Sequence, residues 1–290
     1  MKNLFIPIFT FLLLIACNSQ VPEKIDSTSN QSLLWEISGN GLETPSYLFG
    51  TMHLVPKDDF FMPAGTKKAL ESTDLLVMEI DVDIPLKKQI EIAQRGLIPE
   101  NGTLADYMSE EEYNNVVKFL TDSIGISDKK LEKYIRFKPF ILTGIIMTEA
   151  LGKVETYEKY FADVAKKQKK NFTALESIEF QLALFDTIPI EDQIEGAFHS
   201  DMMDEYYLML ECYKAQNLDC LHQMITEYDD EEFEQLFLKQ RNHNWAEKLK
   251  NSILPTHSAF IAVGAGHLPG AEGLIALLRQ KGYTVEPVIE

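Results

Sequence analysis

The chain carries the sequence YLFGTMHLVP at residues 47–56 and a related sequence, IAVGAGHLP, at residues 261–269. In both, an apolar run typical of a β-strand leads into Gly, two further residues and His. Glycine after a strand lets the backbone turn tightly and approach a ligand, and open α/β sheets bind ligands beyond their strand carboxyl ends. The pair therefore predicts two strand–Gly-x-x-His turns at one rim of a sheet, with His53 and His267 close together.

The Gly-x-x-His spacing is weak evidence by itself, because 15 Gly and 6 His in 290 residues give about 0.3 matches by chance. A third copy, Gly196 to His199, lies inside a helical pattern with no strand before it. We interpret this copy as accidental, since it lacks the strand context that the other two share.

The rest of the sequence predicts an α/β fold. Gly39-Asn40-Gly41 separates two strand-like segments and indicates a β-hairpin. Further strands are predicted at residues 75–80, 172–175, 259–263 and 283–285, and helical patterns at residues 63–72, 86–170, 178–251 and 271–280. Strands near both ends with helices between them favour one domain over residues 32–290: a central mixed β-sheet flanked by helices, with a large helical insertion.

The first 16 residues have the features of a signal peptide. The apolar run from Leu4 to Ala16 is shorter than the roughly 20 residues that span a bilayer. It ends at Leu14-Ile15-Ala16-Cys17, which resembles a bacterial lipobox; the alternative is an ordinary secretory signal with an incidental cysteine. We expect a lipid-anchored protein of the bacterial cell envelope, bound to a membrane through Cys17, with residues 17–31 as a flexible tether and a periplasmic or surface-exposed domain.

Charge and cysteine content restrict the partners and the compartment. The 27 basic and 45 acidic residues give a net charge of −18, which excludes a nucleic-acid partner because such binding needs clustered basic residues. In an oxidising envelope, Cys212 and Cys220 either form a disulfide across a helix–helix turn or remain two buried thiols.

Glu79 lies near the end of its predicted strand and is expected to join His53 and His267. Two imidazoles and a carboxylate form a plausible three-ligand catalytic metal site with an open position for water. Such a metal lowers the pKa of the bound water and polarises a carbonyl group. For each histidine alone, the alternative is a turn residue that bonds a local carbonyl.

Two further residues are candidates for the chemistry. Glu176 could function as a general base or as the acceptor of a histidine N–H. The structural alternative is a carboxylate stabilised by a helix N-terminus. Arg241 could hold a substrate carboxylate or stabilise an oxyanion. The structural alternative is a salt bridge in an acidic protein.

The two Gly-x-x-His stretches resemble the signatures of the TraB/GumN family, which is related to the TIKI metalloproteases. The resemblance extends to residues 75–79, 175–176 with Gln181, and 241–242 with Trp245, and covers the chain from about residue 33 to 288. It implies an α/β fold and a hydrolytic activity that depends on a divalent metal such as manganese, cobalt or zinc. His53, Glu79 and His267 match the signature histidines and a key acid. A peptide or protein is the expected substrate; the alternative is a non-catalytic envelope protein that binds a peptide, small ligand or metal in the same cleft.

The lipobox leads to a first prediction. Cys17→Ser should leave the domain folded but unprocessed, or released from the membrane fraction, because the acceptor of the lipid is lost. Detergent partitioning and the mass of the mature N-terminus measure this. Values identical to those of the parent protein would contradict lipidation at Cys17.

Overall fold

A computed structural model describes residues 32–198, 201–226 and 231–289. The predicted signal peptide, the tether with Cys17, and His199 lie outside the described residues. Within the described part of the chain, no helix combines the length and the apolar character needed to cross a membrane.

The secondary structure follows the predicted order. The strands are β1 (Leu34–Ser38), β2 (Ser46–Thr51), β3 (Val55–Pro56), β4 (Leu75–Met78), β5 (Val154–Glu155), β6 (Asn171–Ala174), β7 (Ala259–Gly264) and β8 (Thr284–Pro287). The α-helices are α1 (Thr66–Ser72), α2 (Leu86–Arg95), α3 (Glu110–Lys118), α4 (Asp128–Tyr134), α5 (Pro139–Leu151), α6 (Tyr157–Gln168), α7 (Ile178–Phe185), α8 (Ile190–Ala197), α9 (Met202–Lys214), α10 (Leu218–Thr226), α11 (Glu231–Glu234), α12 (Gln240–Lys248) and α13 (Leu274–Gln280). The pair β3 and β5 was not predicted from the sequence.

Residues 32–82, 155–184 and 206–289 belong to one compact unit that contains a six-stranded sheet. The strand order is β6-β4-β7-β2-β1-β8. The first four strands run parallel to one another, whereas β1 is antiparallel to both β2 and β8. The predicted mixed sheet with flanking helices is confirmed.

The central strand β7 contributes buried apolar side chains to the core of the sheet. All six of its residues are buried, as expected for a continuous apolar run covered on both faces. Phe260 from this strand packs against Phe49 of β2 and Phe161 of α6, at ring-centroid distances of 6.0 Å and 4.9 Å. These aromatic contacts stabilise the sheet against α6.

The strand register brings four carboxyl ends to one rim. Thr51, the last residue of β2, pairs with Gly264, the last residue of β7. Pairing between β4 and β6 continues past the strands, since the Glu176 N–H donates to the Glu79 carbonyl oxygen at 2.9 Å. The residues that follow β2, β4, β6 and β7 are therefore neighbours.

Each outer edge of the sheet is bonded to a basic side chain. Lys248 Nζ donates to the carbonyl oxygens of Ala174 and Leu175 at 2.7 Å and 3.0 Å beside β6. Arg279 Nε and Nη2 donate to the Val285 carbonyl oxygen of β8 at 3.1 Å and 2.5 Å. These carbonyl groups are thereby occupied, although edge strands generally present unpaired backbone groups.

A second compact unit contains residues 83–154 and 185–205 and is helical, as predicted for the insertion between strands. Its helix α5 is almost entirely apolar, and Phe140 stacks on Phe185 with ring centroids 4.3 Å apart. At its surface Arg95 and Lys138 both pair with Asp186 at 2.6 Å.

The turn between α9 and α10 separates Cys212, near the end of α9, from Cys220, in the first turn of α10. Gln216 has a φ of 55°, and the Asn217 side chain accepts a hydrogen bond from the Cys220 N–H at 2.9 Å. The structure joins Cys212 and Cys220 in a disulfide with a Cα–Cα distance of 5.9 Å. This is the first of the two alternatives considered for the pair.

Replacing both cysteines, Cys212→Ala with Cys220→Ala, should lower the free energy of unfolding by about 2–3 kcal/mol, because the unfolded chain regains loop freedom. Denaturant unfolding measures the change. A reductant should reproduce it in the parent protein and have no effect on the variant. Two freely alkylated thiols in protein isolated without reductant would contradict the disulfide.

Candidate active site

The predicted site residues converge around Gly264, at the end of β7. A methyl group on Gly264 would lie 3.3 Å from Glu79 Oε1, 3.6 Å from His53 Nε2 and 3.6 Å from His267 Cδ2. The missing side chain therefore leaves a small space that two imidazoles and a carboxylate border. The same rim carries Glu176, which lies beside Glu79 across the β4–β6 pairing.

His53 is held by a residue that the sequence analysis did not identify. Its Nδ1 lies 2.8 Å from Glu158 Oε1, so Nε2 is left on the side of the ring that faces Gly264. Burial alone would lower the pKa of His53, but the nearby Glu158 carboxylate raises it above its ordinary value.

His267 is oriented through both ring nitrogens. Its Nδ1 lies 2.7 Å from Asn242 Oδ1, which can only accept, so Nδ1 donates. Its Nε2 then accepts from Arg241 Nη1 at 3.1 Å. Burial and the charge of Arg241 lower the pKa of His267 to about 3, so the ring is neutral. Trp245 packs against it with ring centroids 4.5 Å apart.

Arg241 donates all five of its N–H groups inside the protein and is 1% exposed. Nε bonds Glu176 Oε1 at 3.0 Å, and Nη1 bonds the Phe237 carbonyl oxygen at 2.9 Å in addition to His267. Nη2 bonds Glu79 Oε2 and Glu176 Oε1, each at 2.7 Å. A substrate group could contact this guanidinium only by displacing one of these partners. The contacts of Arg241 are therefore those of the second alternative, a salt bridge, here with Glu79 and Glu176.

The two glutamates differ in how their oxygens are used. Glu79 accepts from the Gly264 N–H at 2.7 Å through Oε1, which also borders the space over that glycine. Burial would raise the pKa of Glu79, but the charge of Arg241, the two nearby histidines and the Gly264 N–H together outweigh burial and lower the pKa to about 2. Glu176 accepts from Arg241, from Gln181 Nε2 at 2.8 Å and from Trp245 Nε1 at 2.9 Å. Glu176 thus serves as an acceptor that fixes its neighbours.

The candidate ligand atoms, imidazole nitrogens and a carboxylate oxygen, are of the types that bind a divalent cation. Histidines that bind metals usually donate the other ring N–H to an oxygen, as His53 and His267 both do here. The space over Gly264 gives His53 Nε2 and Glu79 Oε1 access to a common point. The third predicted donor, His267 Nε2, is bonded to Arg241. The described residues contain no group of three His, Cys, Asp or Glu side chains arranged to hold a metal.

Two tyrosines of α9 hold the turn that carries His53. Tyr213 Oη donates to the Gly50 carbonyl oxygen at 2.8 Å, and Tyr206 Oη donates to the Leu54 carbonyl oxygen at 2.9 Å. Both bonds are buried and bracket His53 in the sequence. A tyrosine in a helical pattern is most simply a core residue, so no sequence signal marks this function.

Comparisons with known proteins find one family profile and several metalloproteases that are similar in sequence. The profile of the TraB/PrgY/gumN family matches residues 33–287. Metalloprotease TIKI1 of Xenopus tropicalis is 22% identical, over 98% of this chain and 68% of its own length. Metalloprotease TIKI1 of Danio rerio is 22% identical over 93% and 65%, and Metalloprotease TIKI2 of Xenopus tropicalis is 24% identical over 88% and 59%. The chain thus spans about two thirds or less of these relatives. No solved structure shows a significant match.

Arg241→Met should lower the free energy of unfolding by about 3–5 kcal/mol, because Glu79 and Glu176 would be left buried without a countercharge. Arg95→Met is the matched control, since Arg95 also pairs with a carboxylate, at 2.6 Å, but is 38% exposed. Its loss should cost less than about 1 kcal/mol. Denaturant unfolding of the two variants measures both effects. Equal, small losses would contradict the stabilising role of Arg241.

Proposed function

We infer the function from a family relationship: the chain belongs to the TraB/PrgY/gumN family, and its distant vertebrate relatives are named metalloproteases. We propose that this protein is a metal-dependent hydrolase that cleaves peptide bonds. The observation that carries the proposal is the space over Gly264, which His53 Nε2 and Glu79 Oε1 both border.

His53 and Glu79 would hold the cation, for which manganese, cobalt or zinc are candidates. When bound, such a cation supplies a Lewis acid for the peptide carbonyl and lowers the pKa of a water molecule. His267, the third predicted ligand, would have to give up its bond to Arg241 to join them.

The charges of the site support a cation. Two carboxylates, those of Glu79 and Glu176, pair with the guanidinium of Arg241, and a third, that of Glu158, pairs with His53. Above the raised pKa of His53, where both imidazoles are neutral, these three carboxylates and one guanidinium have a formal charge of −2. Burial makes uncompensated charge costly, so a divalent cation would stabilise the site.

The other residues of the rim orient the candidate ligands. Arg241 and Gln181 fix Oε2 of Glu79, and the Gly264 N–H fixes Oε1. Asn242 holds the His267 ring. These contacts position the groups before a substrate arrives, which reduces the reorganisation needed during the reaction.

We also propose that the domain acts in the bacterial cell envelope on a peptide or protein, tethered to a membrane by lipid on Cys17. The lipobox-like sequence at residues 14–17 supports this location. The negative net charge of −18 argues against substrates that carry many phosphates.

A peptide-library digest with the purified protein tests the activity. Cleavage should disappear with a chelator and return with manganese, cobalt or zinc. His53→Ala and Glu79→Ala should each lower metal affinity at least about 10–100-fold, the usual cost of losing even an outer partner of a ligand. His199→Ala, in the unrelated Gly-x-x-His sequence, is the matched control and should leave affinity and cleavage unchanged.

Two results would overturn the proposal in different ways. Equal metal affinity in the parent, His53→Ala, His267→Ala and His199→Ala proteins would reject the site. Metal binding by His53 and Glu79 without cleavage of any peptide would favour the alternative, a binding or regulatory protein that uses the same cleft.

A further inference from the structure

Glu158 is a charged residue beside the site for which sequence analysis assigned no role. Its Oε1 accepts two hydrogen bonds, from Thr51 Oγ1 and from His53 Nδ1, both at 2.8 Å. An ionised carboxylate has no proton to give. In the neutral ring the proton must therefore be on Nδ1, and Nε2 must carry the lone pair that faces Gly264.

The backbone of α6 presents this carboxylate from a fixed position. Thr156 caps the helix by accepting from the Lys159 N–H at 3.2 Å. Glu158 lies in the first turn, where the helix dipole stabilises a negative charge. Its neighbour Tyr157 and Phe161, one turn later, are both completely buried. The position of Glu158 is thus determined by packing on both sides.

Thr51 gives the carboxylate a second restraint. This residue ends β2, so its side chain and that of His53 come from the same turn. Because the hydroxyl and the imidazole share one oxygen of Glu158, rotation of the carboxylate would break both bonds. The three side chains form a unit of hydroxyl, carboxylate and imidazole.

We propose that Glu158, with Thr51, is a positioning residue that selects the tautomer of His53. A histidine free in water favours the proton on Nε2, which would direct a donor rather than a lone pair at the space over Gly264. Glu158 reverses that preference and acts only through His53. The use of the lone pair in hydrolysis rests on the proposed function, whereas the tautomer itself does not.

Nitrogen NMR of the metal-free protein labelled with ¹⁵N-histidine tests the tautomer, with His53→Gln to assign the resonance. Spectra are recorded well above the raised pKa of His53, so that the ring is neutral. The parent should show the proton on Nδ1. Glu158→Gln keeps the shape but adds a donor, so it should give a mixture of tautomers and lower cobalt affinity by about 10–100-fold.

Glu149→Gln is the matched control. Glu149 also accepts from a hydroxyl, that of Tyr134 at 2.9 Å, and pairs with Lys130, but it belongs to the helical unit. This variant should change neither the His53 resonance nor the cobalt affinity. Thr51→Val should move both readouts in the same direction as Glu158→Gln but by less.

The outcomes separate this inference from the proposed function. A proton on Nε2 in the parent protein would overturn the inference even if Glu158→Gln failed to fold. A pure Nδ1–H tautomer in folded Glu158→Gln would also overturn it. A parent that shows the Nδ1–H tautomer but binds no cobalt would support the role of Glu158 and count against the metal site.

Discussion

The geometry of the rim depends on one buried guanidinium that shares its five N–H groups among two carboxylates, an imidazole and a helix carbonyl. Arg241 comes from α12, whereas Glu79, Glu176 and His267 follow three different strands. Each of these polar side chains would be costly to bury without a partner. The hydrogen bonds and ion pairs of Arg241 compensate that cost and also connect the ends of three strands. The stability of the sheet and the orientation of the candidate ligands therefore have a common cause.

The register of the parallel strands makes this arrangement possible. Thr51 opposite Gly264 places two Gly-x-x-His turns side by side, and the pairing beyond β4 and β6 does the same for Glu79 and Glu176. Both pairings follow from local sequence patterns, in which an apolar run ends in a glycine or in an acidic residue. For that reason the sheet, the helical insertion and the meeting of His53 with His267 could be predicted from the sequence.

The partners that helices supply could not be predicted in this way. Glu158 lies in the first turn of a helix, where glutamate is common because the helix dipole stabilises a negative charge. Its residue type therefore carries no functional information. Tyr206 and Tyr213 have the spacing of ordinary core residues. For Arg241 the sequence allowed a substrate contact or a salt bridge, and only three-dimensional bonding reveals that its donors are all engaged.

The basic side chains at the outer strands have a consequence for the behaviour of the protein at high concentration. A sheet of six strands with two open sides could in principle grow by recruiting a strand from another copy. Lys248 and Arg279 already bond carbonyl oxygens at the end of β6 and in β8, so an incoming strand would have to displace these donors to pair there. Charged side chains at edge strands are a common means of disfavouring intermolecular strand pairing, and the positions of Lys248 and Arg279 at the two edges of this sheet are consistent with that function.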